Sequence, residues 1–208
     1  MRVLAIANQK GGVGKTTTAI NLGTALAAAG KGVLIFDTDP QGNASTGVDI
    51  HPDDRVVSSY DVLVAHHPLS KAVMPTKVPN LFITPGDARL SGVEGELMGE
   101  SQPQFFLRRA IDQFRAESSL GIEYVLIDCP PSLNILTVNA LTASDAVLVP
   151  LQTEYFALEG LAQLIATINA VKANLNPALD IQGVVLTMYD KRTTLSDQVA
   201  QEVRAHFP

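Results

Sequence analysis

A single cysteine, no long apolar run and no excess of positive charge are the first features of this sequence. One thiol cannot close an intrachain disulfide, so the chain is not a cross-linked secreted scaffold and suits a reducing cytosol. Nor can one thiol hold an iron–sulfur cluster, which needs several thiolates. The longest apolar stretches run five or six residues, against the ~20 that a membrane-spanning helix requires. The N-terminal "RVLAIANQKGG" passes from a short apolar segment straight into glycines, without the small-residue cleavage site of a signal peptide. With a formal net charge of -6 the surface is not basic throughout, and any nucleic-acid contact has to come from a local cluster. The histidines His51, His66, His67 and His206 have neither zinc-ligand spacing nor cysteine companions. His66 and His67, side by side before Pro68, read as a solvated turn.

What is present fits one globular domain over residues 1–208. The composition is 46% hydrophobic and 17% charged, and a chain of this length buries roughly 70% of its unfolded surface. No internal repeat, low-complexity tract or linker interrupts it. Short β-rich runs alternate with helical patterns: "RVLAIA" (2–7), "GVLIFD" (32–37), "LFITPG" (81–86), "YVLIDC" (124–129), "AVLVPL" (146–151) and "IQGVVLT" (181–187). Most are apolar throughout, as parallel strands covered on both faces should be. Between them, Leu107, Ala110, Ile111 and Phe114 fall on one helical face, and Leu158, Leu161, Ala162, Ile165 and Ile168 form a longer stripe. Gly30 stands where the first helix should stop. Residues 40–80 are the least regular, a Gly/Asn/Ser/Pro-rich stretch with room for two short helices. We therefore expect an α/β fold, a doubly wound and mostly parallel sheet with helices on both faces. Its ligands belong at the carboxyl ends of the strands.

The chemistry concentrates first in "QKGGVGKTT", residues 9–17. Following a strand and opening a helix, Gly11, Gly12, Val13 and Gly14 form a loop whose backbone N–H groups can close on phosphate oxygens, helped by the positive end of the helix. Lys15 would reach the β- and γ-phosphates, Thr16 would ligate Mg²⁺, and Thr17 adds a hydroxyl near the α-phosphate. The common phosphate loop has a glycine five residues before Gly14; here that position is Gln9, and a second lysine, Lys10, follows it. "FDTDP" ends the second strand with Asp37 and Asp39, whose side chains share a face if the strand persists. Two aspartates capping the turn before Pro40 are the plainer alternative. Asp128 closes an apolar strand, where a buried carboxylate needs a partner and a metal shell can supply one.

The loop resembles the deviant P-loop signature K-G-G-x-G-K-[ST] of the ParA and MinD ATPases. The resemblance extends through "DTDPQGNAS" (37–45), "YVLIDCPPSLNILTVNALTASD" (124–145), "EYFALEGL" (154–161) and "GVVLTMYDKRTTLSDQV" (183–199). That set points to the ParA/Soj branch, which partitions chromosomes and plasmids. The resemblance implies ATP and ADP as ligands, with Mg²⁺, and slow hydrolysis until a partner stimulates it. It implies that Lys10 reaches across an ATP-sandwich homodimer to the partner's nucleotide, which puts Lys10, Lys15 and Asp39 in the catalytic set. Asp39 would position the attacking water, Asp37 would stand behind the metal, and Asp128 would be the Walker B carboxylate. Pro130 and Pro131 would stiffen a loop that senses the γ-phosphate. Met188 and Asp190 would lie on the base side, although a methionine there packs equally well in a core. Family members continue beyond "VRAHFP" with another strand, a proline–asparagine adenine loop and closing helices, so the base-enclosing set is incomplete in these residues.

Lys191, Arg192 and Arg204 form the one basic feature late in the chain. A solvated helix face explains them as well as DNA does; the resemblance favours Arg192 as a contact to non-specific double-stranded DNA. It also implies a ParB-type partner and a cytoplasmic, nucleoid-associated location with no membrane. Cys129, beside Asp128, reads as a small buried residue. Two other readings compete. A MinD-like positioning ATPase would carry an amphipathic membrane helix, which these residues lack. A metabolic enzyme on the same scaffold, such as a biotin-pathway synthetase, would lack the "DCPPSLNILTVNAL" context.

Overall fold

The computed structural model describes residues 1–155 and 157–207, with all of their side chains except those of 157–159 and 206. The chain begins with β1 (Arg2–Ile6), α1 (Lys15–Ala28), β2 (Gly32–Asp37) and α2 (Asn43–Gly47). Three short elements follow, α3 (Ser59–Leu63), α4 (Leu69–Ala72) and β3 (Met74–Pro75), then β4 (Leu81–Thr84) and α5 (Val93–Glu96). The longer α6 (Phe106–Glu117), β5 (Ile122–Asp128), α7 (Ile135–Ala143) and β6 (Ala146–Gln152) come next. The last elements are α8 (Ala157–Asn174), β7 (Asp180–Thr187) and α9 (Thr194–His206). The strands form one seven-stranded sheet in the order β3-β4-β2-β5-β1-β6-β7. Every pairing is parallel except β3 with β4.

The pleat divides the strand residues between two cores. Val3 and Ala5 of β1, Leu34 and Phe36 of β2, and Val125 and Ile127 of β5 pack on one face; Leu4, Ile6, Val33, Ile35 and Leu126 pack on the other. The first face is closed by α3 to α9, through side chains such as Leu63, Leu107, Phe114, Leu136, Leu164 and Val203. The second is closed by α1 and α2 through Ala19, Ala27 and Ala44. Both faces are therefore covered, as the unbroken apolar runs require. Each fully buried Leu, Ile or Phe in these cores contributes about 1.5–3 kcal/mol relative to exposure.

The sequence-derived strands match closely, with small corrections at their ends. The fourth element of the sheet stops at Thr84, because Pro85 and Gly86 turn away, and β5 starts two residues earlier than expected, at Ile122. β3 has no counterpart in the sequence pattern, because two residues carry no alternation. The 40–80 stretch holds three short α-helices, one more than its sequence pattern implies. On α8, Leu161 and Ile168 are buried as expected, but Ala162 faces solvent and Leu164 takes the core position. The Leu158 side chain and that of His206 lie outside the described residues. α1 ends as Gly30 implies, with its N–H donated to the Ala27 carbonyl at φ 83°. His66 and His67 are exposed, and the His66 ring stands edge-on to Phe106 at 4.8 Å. Among the described residues no helix is long and apolar enough to cross a membrane.

Candidate functional site: a phosphate loop at the strand ends

Three neighbouring strands end at one level, with Asp128 of β5 in register with Ile6 of β1 and with Asp37 of β2. The loops leaving these ends enclose a cavity of about 710 Å³. Gly11, Gly12, Gly14, Lys15, Thr16 and Thr17 form its floor. Asp39, Gln41 and Asn43 enter from the loop after β2, Leu90 and Ser91 from the turn before α5, and Pro130, Pro131 and Asn134 from the loop after β5. Met188 closes the side nearest β7.

The loop's shape follows from its glycines. Gly12 and Gly14 sit at φ 76° and 89°, a region that L side chains rarely adopt. Gly14 is the N-cap of α1 and offers no capping side chain. The first N–H groups of the helix are thereby left for a ligand at its positive end. Lys15, the first residue of α1, is only 7% exposed, and its Nζ donates to the Lys10 carbonyl oxygen at 2.8 Å. Burial lowers its pKa, while Asp128, Cys129 and Asp39 pull it back up. Val13 differs from its loop neighbours. Its side chain is buried, and its carbonyl accepts from Thr187 Oγ1 at 2.8 Å, which ties the end of β7 to the loop.

The aspartates have unlike settings. Asp37 is fully buried and satisfied: Oδ2 accepts from Ser45 N at 3.0 Å and Ser45 Oγ at 2.6 Å, and Oδ1 from Asp39 N at 3.1 Å. Burial still raises its pKa. The shared face of Asp37 and Asp39 depended on the strand persisting; β2 ends at Asp37, and of the two only Asp39 lines the cavity. Its Oδ1 accepts from Gln41 N at 2.9 Å. Asp128 is fully buried too, yet neither carboxylate oxygen has a hydrogen-bond partner. Burial, then repulsion from Asp37, pushes its pKa up to about 7, against the pull of the nearby Thr16 hydroxyl and Lys15. An orphaned carboxylate of this kind is costly unless something cationic reaches it. Among the described residues no cluster of three or more His, Cys, Asp or Glu side chains could hold a metal alone. A divalent cation fits this donor set when a ligand's phosphate oxygens complete its shell, with Thr16 and Asp128 as the protein's share.

Lys10 does not line the cavity. Its backbone N–H donates to Asn8 Oδ1, and its ammonium pairs with Glu154, 144 positions away in sequence. Met188 is not a core residue: it is 61% exposed, at φ 51°, with its carbonyl accepting from Thr153 Oγ1 at 3.4 Å. Asp190, the other base-side candidate, is engaged by Arg192 through contacts of 2.7 and 2.9 Å, and the Arg192 side chain is 88% exposed. Cys129 is buried, and burial pushes its thiol pKa well up, so it is inert. The sequence reading missed Ser45, Glu154 and Asn134. Only Asn134 left a signal, as an Asn just before an apolar helical run; its Oδ1 caps α7 by accepting from Leu136 and Thr137.

A family model described as an AAA domain matches residues 1–181. The chromosome partitioning protein ParA of Caulobacter vibrioides is 61% identical over 207 residues, covering 100% of this chain and 77% of that protein. The sporulation initiation inhibitor protein Soj of Bacillus subtilis is 48% identical, covering 99% of this chain and 80% of its own. Among solved structures, cobyrinic acid a,c-diamide synthase from Mycobacterium smegmatis with bound ADP and magnesium superposes with a TM-score of 0.91 at 40% identity, over 99% of this chain and 82% of that one. A plasmid partition protein from Borrelia burgdorferi shares the fold at a TM-score of 0.83 and 24% identity, over 98% and 85% of the two chains. The glycine-rich loop, the lysine pair and the strand-end aspartates thus sit on a sheet shared with these proteins, and the chain belongs to the ParA/Soj family of P-loop partition ATPases.

Proposed function

We propose that the chain is the ATP-dependent switch of a chromosome- or plasmid-partition system, hydrolysing ATP to ADP and phosphate. The observation that carries the nucleotide part is Asp128. A fully buried, partnerless carboxylate stands at the strand end beside the phosphate loop. Magnesium, held by Thr16 and Asp128 with Asp37 behind them, would neutralise phosphate charge. Gly11, Gly12 and Gly14 turn backbone donors toward the phosphates. Lys15 leaves the Lys10 carbonyl for a phosphate oxygen, a stronger acceptor for an ammonium. Asp39 keeps one oxygen on Gln41 N and has the other for the attacking water. Thr17 lies toward the α-phosphate and Met188 toward the base.

Lys10 acts between molecules. In the single chain its charge is satisfied by Glu154, outside the cavity. In a homodimer closed over two nucleotides it exchanges that partner for the other subunit's phosphates, in a gap with little water to screen them. The ATP-bound dimer binds double-stranded DNA without sequence preference, with Arg192 as one backbone contact, and a ParB-type partner accelerates hydrolysis and release. Sedimentation with ATP, ADP or no nucleotide, each with and without DNA, tests the reading. Dimerisation and DNA binding with ATP alone support it. A chain that stays monomeric and DNA-free with ATP overturns it.

One observation favours a second reading. The diamide synthase neighbour is 40% identical, well above the level of a bare fold match. If the same sedimentation finds no DNA binding, ATP-dependent amide formation on a carboxylate substrate is the reading to assay.

A further inference from the structure

Arg55 belongs to none of the motifs above. It follows a short turn at Pro52–Asp54, in the irregular stretch, and lines a second cavity that shares Pro40 and Gln41 with the first. Its guanidinium makes five hydrogen bonds, all to neutral oxygens. Nη1 donates to the Gly86 carbonyl at 2.9 Å; Nη2 reaches Thr46 Oγ1 at 2.8 Å, the Ile50 carbonyl at 3.0 Å and the Gly42 carbonyl at 3.2 Å. One side chain thus joins the loop after β2, the end of α2 and the loop after β4.

Those loops hold the Asp39 backbone. Gly42 N donates to the Asp39 carbonyl at 2.9 Å. Gly86 packs so closely that a Cβ there would meet the Asp39 carbonyl oxygen at 2.8 Å and Asp37 Cγ at 3.0 Å. Gly86 N donates to Ser45 Oγ at 3.0 Å, and that same oxygen donates to Asp37. The Asp39 turn is therefore wedged between two glycine segments that Arg55 ties together through their carbonyls, alongside the Ser45 and Ser59 hydroxyl bridges.

We propose that Arg55 is a positioning residue for hydrolysis: by clamping Gly42 to Gly86 it fixes the turn that aims the Asp39 carboxylate at the cavity. The proposal rests on the reading of Asp39 as the water-positioning group. The work needs a planar fork of donors, which a lysine ammonium cannot reproduce across several carbonyls at once. A misplacement on the order of 1 Å at the reacting centre costs about 10²-fold in rate. Binding of the phosphates, by contrast, draws on the glycine loop and Lys15, which Arg55 does not touch.

The test measures ATP turnover, ATP affinity and melting temperature for Arg55→Ala, Arg55→Lys and Asp39→Ala in the full chain. The expected result is a turnover number at least tenfold lower in Arg55→Ala, with ATP affinity within threefold of the parent and no rescue by Arg55→Lys. Should Arg55→Ala fail to fold, Arg55→Lys decides, with the same separation of turnover from affinity expected. Unchanged turnover in Arg55→Lys overturns the clamp, as does an affinity loss equal to the rate loss. If Asp39→Ala turns over like the parent, the reading of Asp39 has failed and the clamp falls with it. If Asp39→Ala is inactive while both Arg55 variants turn over normally, only the clamp has failed.

Discussion

The inner wall of the site and its rim treat charge in opposite ways. On the wall, Lys15 and Asp128 are almost wholly buried, and Asp128 has no partner of its own. On the rim, Lys10 and Arg192 are partly or largely exposed, and each is matched by a carboxylate of the same chain, Glu154 and Asp190. A buried charge without a partner destabilises a fold, so the wall is prepared for a ligand that a single chain can bind. A paired rim charge has no such need. Under the proposed function it changes partner when a stronger field arrives, from a second subunit's triphosphate or from a nucleic-acid backbone. On the proposed reading, binding belongs to the monomer and switching to the assembly.

The contrast can be broken most severely at Lys10. Lys10→Ala should lower ATP turnover by about 10³–10⁵-fold, the range of charge-stabilising fingers supplied in trans, while ATP affinity measured at monomer concentrations stays near the parent value. Equal losses in rate and affinity would move Lys10 to the wall. Next comes Asp39→Ala, where turnover should fall on the order of 10²–10⁴-fold with ATP still bound, since water positioning and phosphate binding are separate tasks.

A smaller effect concerns the wall without ligand. The Asp128 pKa stands at about 7 in the folded chain, above the ordinary 3.8, so the folded state holds the proton more tightly than the unfolded one. Stability from this group is then full below about pH 4 and is lost as pH rises toward 7. Asp37, raised by burial, adds to the same trend. Without nucleotide or magnesium, melting temperature should decline across that window, and Asp128→Asn should flatten the decline. A parent protein whose stability rises steadily from pH 4 to 7 and an unaffected Asp128→Asn variant would contradict the picture. The smallest effect belongs to Arg192→Ala, which should weaken binding to all DNA sequences alike and reduce the slope of log affinity against log salt by about 1. Filter binding across a salt series measures it, and a loss confined to one sequence would mark base readout instead.

The wall was far more legible in the sequence than the rim. Phosphate loops are written contiguously, because one turn and one helix end do the work, so residues 11–17 could be read directly. Strands covered on both faces appear as unbroken apolar runs, which is why six of the seven were recognisable. Two-residue β3 had no pattern to show. Partners across the fold leave no local trace either. Nothing near Lys10 points to Glu154, and nothing near Asp37 singles out Ser45 among the polar residues of its loop. Met188 shows the limit differently: its type suits a core, yet it stands at the cavity's edge with a left-handed backbone.

The separation of wall from rim is tested most directly by sedimentation velocity on two variants with saturating ATP and magnesium. Asp39→Ala alone, expected to bind without hydrolysing, should sediment as a dimer. Combined with Lys10→Ala it should retain ATP and sediment as a monomer. A double variant that still forms the dimer, or that loses ATP as completely as Lys15→Ala, would contradict a lysine that works between subunits.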